Sequence, residues 1–237
     1  MYDIVFISYN EPCSTDRYIE LLKGHHHNKI SRVQNIKGIH QAHIAAANQA
    51  NTSMFYVVDA DASILPNFKF NLKLEPTEED TVYVWRSVNP INGLEYGYGG
   101  VKLLPRQLSI DMEVSNIDMT TSISKKFKPF IEISNITQFN VDPLCTWRSS
   151  FRECVKLSSK AIQGQLDKET IERLKIWRFN NSQALFAEYS RGGASAGEWY
   201  GSTYKDDPEA LTKINDFEWL EHQFNAHVAQ FPPESFK

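Results

Sequence analysis

The chain opens on an unbroken apolar run, Asp3-Ile-Val-Phe-Ile-Ser8, the pattern of a strand buried on both faces. Turn chemistry in Tyr9-Asn10-Glu11-Pro12 ends it. Ser14 or Thr15 can cap a short helix to Leu22, in which Ile19 and Leu22 share a face. A second strand is expected around Ser31 to Ile36. After Gly38, small and apolar residues at Ile39, Ala42, Ala46 and Ala50 repeat at helical spacing, predicting a helix able to lie close on a sheet. The next strand, Met54-Phe55-Tyr56-Val57-Val58, runs into Asp59-Ala60-Asp61. Strand, helix, strand, helix, strand predicts a parallel sheet of right-handed βαβ units, whose ligands bind outside the carboxyl ends of strands. Tyr9–Glu11 and Asp59–Asp61 both fall at such ends.

The remainder is less regular. Alternation marks a strand at Thr81–Trp85, a turn follows at Asn89–Gly93, and Val101–Leu104 is a short apolar stretch stopped by Pro105. Residues 107–129 mix Ser, Thr, Asp and Lys and read as a surface excursion. Another strand is expected within Phe130–Phe139. A long helix from Pro143 puts Trp147, Phe151, Cys154 and Val155 on one face. Further helices are expected at Lys168–Trp177 and Asp216–Ala229, the last ended by Pro232-Pro233. Neither a repeat nor a low-complexity linker marks a boundary, so residues 1–237 are expected to form a single domain.

Composition narrows the class. With 237 residues, 41% hydrophobic and 23% charged, the chain can bury a full core. The formal net charge of -4 disfavours a protein held to nucleic acid by overall charge, although a local basic patch is compatible with it. No apolar run approaches the roughly 20 residues of a membrane span, and the opening residues read as a strand rather than a signal peptide. Membrane partners are therefore not expected. Cys13, Cys145 and Cys154 contain no CxxC pair and read as free thiols of a cytoplasmic protein.

The sharpest chemical signal is Asp59-Ala60-Asp61. Two carboxylates at a strand end cannot both be buried without a partner charge, and Mn²⁺ or Mg²⁺ is a natural one. The alternative is a solvated turn in which one Asp caps a helix. Arg148, Arg152, Lys156 and Lys160 lie four apart on one helix, as a solvated face or as a phosphate-tracking ridge, with Lys125, Lys126 and Lys128 adding charge nearby. His25-His26-His27 reads as an exposed loop. His40 and His43 share a helix face without a third ligand, while His222 or His227 could be recruited to a metal.

Gly38-Ile39-His40-Gln41-Ala42-His43-Ile44, the small-residue helix after it, and Phe55-Tyr56-Val57-Val58-Asp59-Ala60-Asp61 resemble the nucleotide-sugar half of GT-A fold glycosyltransferases, family 2 in particular. Tyr9-Asn10-Glu11 at the end of the first strand is similar to that family's opening. His43 and Ile44 stand where the family usually carries Arg-Asn. The resemblance implies a GT-A-like, Rossmann-related α/β fold with a mixed, mainly parallel sheet flanked by helices. Residues of about 1–105 would form the nucleotide-sugar half and about 106–237 the acceptor half. Tyr9 and Glu11 would border the base and ribose. Asp59 would approach ribose or metal, and Asp61 would bind the Mn²⁺ or Mg²⁺ that bridges the diphosphate. A UDP-sugar is the expected donor.

The same resemblance places a catalytic base at Asp142 in Asn140-Val141-Asp142-Pro143-Leu144, where the family usually has a second acidic residue in place of Val141. Asp142 before Pro143 also fits a helix N-cap with proline at the first helical position. Asp118 is the fallback base. Tyr96-Gly97-Tyr98-Gly99-Gly100-Val101 is either a hairpin turn or, as in GT-A enzymes, a donor-lining segment that uses Gly99 and Gly100. Arg191-Gly192-Gly193-Ala194-Ser195-Ala196-Gly197 is either a plain loop or a flexible lid with Arg191 as counter-charge to the diphosphate.

Segments 94–106 and 142–154 resemble small glycosyltransferases of tailed bacteriophages, some of which glycosylate 5-hydroxymethylcytosine in DNA. That implies a DNA acceptor held by Arg148 and Arg152, with Trp199, Tyr200 and Tyr204 stacking a displaced base. Saccharide, lipid-linked or protein acceptors are alternatives, as are an idle nucleotide-binding module and a nucleotidyltransferase.

Overall fold

Strand β1 (Asp3–Ser8) is paired on both sides in a computed structural model that describes residues 1–96, 99–114, 119–161 and 166–236. The chain divides into two compact units: Met1–Asn89 with Glu95–Gln138, and Pro90–Leu94 with Phe139–Lys237.

The first unit is built on one sheet. Helix α1 (Ser14–Gly24) leads from β1 to β2 (Ile30–Gln34), and α2 (Ile39–Gln49) leads to β3 (Met54–Asp59). β1 pairs in parallel with β2 on one side and β3 on the other. The expected βαβαβ opening is therefore present. The chain leaves β1 first toward β2 and later returns on the opposite flank, so a topological switch point lies between β1 and β3. Beyond β3 come β4 (Ala62–Ile64), β5 (Val82–Val88), β6 (Glu95–Tyr96), β7 (Val101–Pro105) and β8 (Phe127–Thr137). The strand order is β2-β1-β3-β7-β5-β8-β4, with β6 beside β5.

The expectation of a mainly parallel sheet is corrected. β7 runs antiparallel to both β3 and β5, and β4 runs antiparallel to β8; among the described residues only β5 and β8 add a parallel pair beyond β2-β1-β3. Apolar runs buried on both faces carry no sign of direction, which is why the local pattern did not reveal the reversal.

Alternate side chains feed two cores. Ile4, Phe6, Tyr56, Val58 and Leu103 meet Leu21, Phe68 and Phe70 on one face. Val5, Phe55, Val57 and Leu104 meet Ala46 and Ala47 of α2 and Ala50 just after it on the other. The segment read as a surface excursion contributes to this second core. It holds α3 (Arg106–Ile110) and α4 (Met119–Ile123), with Met112, Met119 and Ile123 buried.

The second unit is helical: α5 (Pro143–Ser158), α6 (Asp167–Phe179), α7 (Ala187–Thr203), α8 (Pro208–Thr212) and α9 (Phe217–Gln230). The glycine-rich stretch expected to be a lid or loop lies inside α7. Gly193 and Gly197 lie four residues apart, and the spacing continues to Gly201. A Cβ at Gly193, Gly197 or Gly201 would lie 2.3 Å from the Trp147 carbonyl, 2.3 Å from the Phe151 carbonyl or 2.6 Å from the Val155 carbonyl. Both series advance by four, so α5 and α7 run side by side with their backbones in contact. Packing thus overrides the low helix propensity of glycine.

Candidate functional site

The parallel strands β1 and β3 point their carboxyl ends to one edge of the sheet. Because β7 is antiparallel, it begins at that same edge: Ile7 is in register with Asp59, and Val58 with Val101. Tyr9–Glu11, Asp59–Asp61 and Gly99–Gly100 therefore converge at the switch point. Backbone bonds lock the three segments together. Ala60 N–H donates to the Ile7 carbonyl at 2.9 Å, Asp59 N–H to the Gly100 carbonyl at 3.0 Å, and Gln138 N–H to the Asp61 carbonyl at 2.6 Å. Asn10 turns the chain out of β1 in the left-handed region (φ 83°), which asparagine tolerates better than most residues. Gly100 must be glycine because a Cβ there would meet the Asn135 amide at 2.4 Å. Asn135 is itself fixed, accepting from the hydroxyls of Ser87 (3.0 Å) and Ser134 (2.8 Å).

The electrostatics were only half legible in the sequence. Lys102, a lone charge in the apolar strand β7, extends its ammonium to Asp59 Oδ2 at 2.8 Å. Its side chain is 5% exposed and that of Asp59 is 33% exposed. Part of the partner charge demanded by the acidic pair is thus supplied by a resident lysine. Arg17, one turn into α1, donates to the Ala60 carbonyl at 2.7 Å and brings a second positive charge beside the loop. Arg32 donates to the Ser8 and Ser14 hydroxyls at 3.0 and 3.1 Å and holds the β1–α1 loop. None of these three stood out in the sequence; a single basic residue inside an apolar strand was the signal for Lys102.

Asp61 is different. Among the described residues its carboxylate has no hydrogen-bond partner, and its pKa is pushed up to about 7, first by burial and then by the charges of Asp59 and Glu11. Lys102 and Arg17 only partly offset this. Glu11 Oε2 accepts from Tyr9 N–H at 2.5 Å, which folds the glutamate back over its own loop. His43 of α2 also feels Lys102. Its Nδ1 lies 2.8 Å from the Ile39 carbonyl, and its buried Nε2 has no partner among the described residues. Burial and the Lys102 charge hold it neutral, with the pKa lowered to about 3.

Among the described residues no group of three or more His, Cys, Asp or Glu side chains is arranged to hold a metal ion. The chemistry of the donors nevertheless fits a hard divalent cation. Mg²⁺ and similar ions are commonly held by one or two carboxylates, with substrate phosphates and water completing the shell. A carboxylate whose pKa is raised by neighbouring negative charge marks a place where added positive charge is stabilising.

Asp142, Arg148, Arg152, Lys160 and Arg191 belong to the second unit, where each has a structural partner. Asp142 is the N-cap of α5 and accepts from Cys145 N–H at 2.6 Å. Arg148 lies over the Phe217 ring at 4.1 Å. Arg152 reaches the same ring at 5.7 Å and donates to Asn215 Oδ1 at 3.0 Å. Lys160 lies beyond the end of α5 and pairs with Asp167 at 2.8 Å. The basic ridge is therefore partly engaged in packing. Arg191 donates to the Asn180 and Ser182 carbonyls at 3.3 and 3.4 Å, securing the α6–α7 connection. A helical Arg191 held in this way corrects the flexible-lid expectation. His222 and His227 lie on α9, also in this unit. Asp118, Gly97 and Tyr98 lie outside the described residues.

No protein-family model matches the chain. No curated protein matches it either. Among solved structures, HddC from Yersinia pseudotuberculosis is similar over 56% of this chain and 90% of that one, at 14% identity and a TM-score of 0.34. A likeness that slight assigns neither fold family nor activity. No helix among the described residues is long and apolar enough to cross a membrane.

Proposed function

We propose that the first unit binds a nucleotide sugar at the β1/β3 switch point and that the chain is a glycosyltransferase dependent on Mn²⁺ or Mg²⁺. The observation that carries this reading is the Asp61 carboxylate. It lies at the carboxyl end of the sheet without a hydrogen-bond partner among the described residues, and Asp59 and Glu11 load the site with negative charge. Asp61, with Asp59, would hold the cation. When bound, the cation supplies positive charge to the diphosphate that leaves.

The chain's own residues perform the rest. Tyr9 and Glu11 border the base and ribose of the donor, for which a UDP-sugar is the first candidate. Gly99, with nothing within 4 Å of where a Cβ would stand, leaves room for the sugar at the start of β7, and Gly100 lets that backbone lie close on Asn135. The acceptor hydroxyl oxygen forms a bond to the anomeric carbon as the bond from that carbon to the diphosphate oxygen breaks. The hydroxyl proton passes to a carboxylate base, and the configuration inverts. The acceptor to test first is 5-hydroxymethylcytosine in DNA, and a saccharide is the alternative.

The test is incubation with a panel of nucleotide sugars and Mn²⁺, with and without 5-hydroxymethylcytosine DNA, read by mass spectrometry of nucleosides and released nucleotide. Metal-dependent release of nucleoside diphosphate, abolished in Asp61→Asn, supports the reading. Nucleotide binding without turnover identifies an idle binding module instead. Release of pyrophosphate identifies a nucleotidyltransferase.

A further inference from the structure

We propose that the groove of the second unit between the end of α7 and the start of α9 is a binding site for a neutral saccharide. This assignment is independent of the donor site of the first unit. The groove is open to solvent along one side and holds about 470 Å³, within the range of roughly 300–1,000 Å³ for small-ligand sites. Four aromatic rings line it: Trp199, Tyr200, Tyr204 and Trp219. Trp199 is 64% exposed, an unusual expenditure of indole surface on water. Its ring stands edge-on to Tyr204 at 6.4 Å and 88°. Tyr200 packs on Tyr204 at 4.6 Å and on Trp219 at 5.3 Å, and its hydroxyl donates to the Ala210 carbonyl at 2.9 Å. The tilted cluster of Tyr200, Tyr204 and Trp219 is thereby a fixed floor, and Trp199 is the wall that stands into solvent.

The polar lining decides the class of occupant. Asp207, Glu209, Lys213 and Gln223 reach the groove. Two carboxylates against one ammonium give this set a net negative charge, which opposes a polynucleotide, whose binding is driven by cationic neutralisation of phosphates. The ring pairs are tilted by 43° to 88°, so they form no parallel slot for a flipped base. This replaces the expectation that Trp199, Tyr200 and Tyr204 stack a displaced base. An ammonium cage is opposed as well. The rings contact one another rather than facing a common centre, and Lys213 adds positive charge to the lining. A sugar meets every feature. The weakly positive C–H face of a pyranose rests on the negative face of an indole. Its hydroxyls donate to carboxylates, accept from an ammonium and do both with a primary amide.

The experiment titrates the whole chain with maltose, cellobiose, lactose and N,N′-diacetylchitobiose, read by saturation-transfer difference NMR and tryptophan fluorescence. Tetramethylammonium and a single-stranded oligonucleotide are the competing probes. Saturable binding of at least one disaccharide, weakened about tenfold or more in Trp199→Ala, supports the site, tenfold being the cost of losing one exposed anchor. Because Trp199 is largely exposed, that variant is expected to fold as the parent does, and circular dichroism checks it. The proposal is overturned if none of the four disaccharides binds. It is equally overturned if their binding is unchanged in Trp199→Ala, or if only tetramethylammonium or the oligonucleotide gives a signal that Trp199→Ala removes.

Discussion

Lys102 Nζ lies 2.8 Å from Asp59 Oδ2, so a buried ammonium from an apolar strand already sits beside the acidic edge proposed to receive a metal. Removing it leaves Asp59 without its partner. Breaking a fully buried pair costs roughly 3–5 kcal/mol, and the partial exposure of Asp59 reduces this, so Lys102→Met is expected to lose about 2 kcal/mol in urea denaturation. Mn²⁺ should restore part of the loss, because it replaces the missing charge. Equal destabilisation with and without Mn²⁺ would argue that no cation binds there.

The α5–α7 seam makes a second prediction. Alanine is ordinarily the better helix former by about 1 kcal/mol. At Gly197, however, a Cβ would sit 2.3 Å from the Phe151 carbonyl oxygen and 2.9 Å from its Cα, atoms of a helix backbone that cannot yield locally. Gly197→Ala should therefore destabilise the protein by about 3 kcal/mol, the upper part of the overpacking range. Gly24→Ala, at the end of α1 with nothing within 4 Å of its Cβ, should be neutral or stabilise by about 0.5 kcal/mol. Thermal denaturation of the two variants side by side checks the contrast.

These two sites show what the sequence could and could not carry. The strands around Val5 and Val57 and the alanine helix were legible because burial writes itself into local periodicity. So was the convergence of Tyr9–Glu11 with Asp59–Asp61, which follows from right-handed connections and the switch point. The antiparallel course of β7 was not legible, since Val101–Leu104 reads the same in either direction. Lys102 hid within that apolar run. Helix α7 was misread because Gly192-Gly193 has loop propensity taken alone, whereas the glycines let its backbone pack directly on that of α5 at Trp147 and Phe151. The four-residue spacing of Gly193, Gly197 and Gly201 was the overlooked signal. Asp142 fitted both a cap and a base, and the structure supplies the cap.

The pH dependence of stability follows from two groups of opposite sign. His43 has its folded pKa lowered to about 3 by burial and by Lys102, against about 6.5 when unfolded. Between these values the unfolded chain binds the extra proton, so this contribution is complete above pH 6.5 and is lost as pH falls. Asp61, raised to about 7 by burial, Asp59 and Glu11, binds its proton in the folded state, so its contribution is lost as pH rises from about 4 to 7. Each has a limiting slope of about 1.4 kcal/mol per pH unit. In EDTA the parent protein should therefore be nearly flat between about pH 4 and 6.5 with respect to these two groups. His43→Gln should become less stable as pH rises, and Asp61→Asn less stable as pH falls. Urea midpoints across that window read both slopes, and parallel curves for all three proteins would contradict the assignment.

Asp142 allows capping and catalysis to be separated. Its Oδ1 accepts from Cys145 N–H at 2.6 Å, a bond that asparagine reproduces almost as well and alanine cannot. Asp142→Asn should keep the thermal midpoint near that of the parent, while Asp142→Ala should lose about 1 kcal/mol of stability. Asparagine cannot take the acceptor proton. If Asp142 is the base, Asp142→Asn should therefore reduce transfer by about 10²-fold or more at unchanged nucleotide-sugar affinity. Full transfer activity in Asp142→Asn, with the expected loss of stability in Asp142→Ala, would restrict Asp142 to the helix cap and move the proton acceptor to another carboxylate.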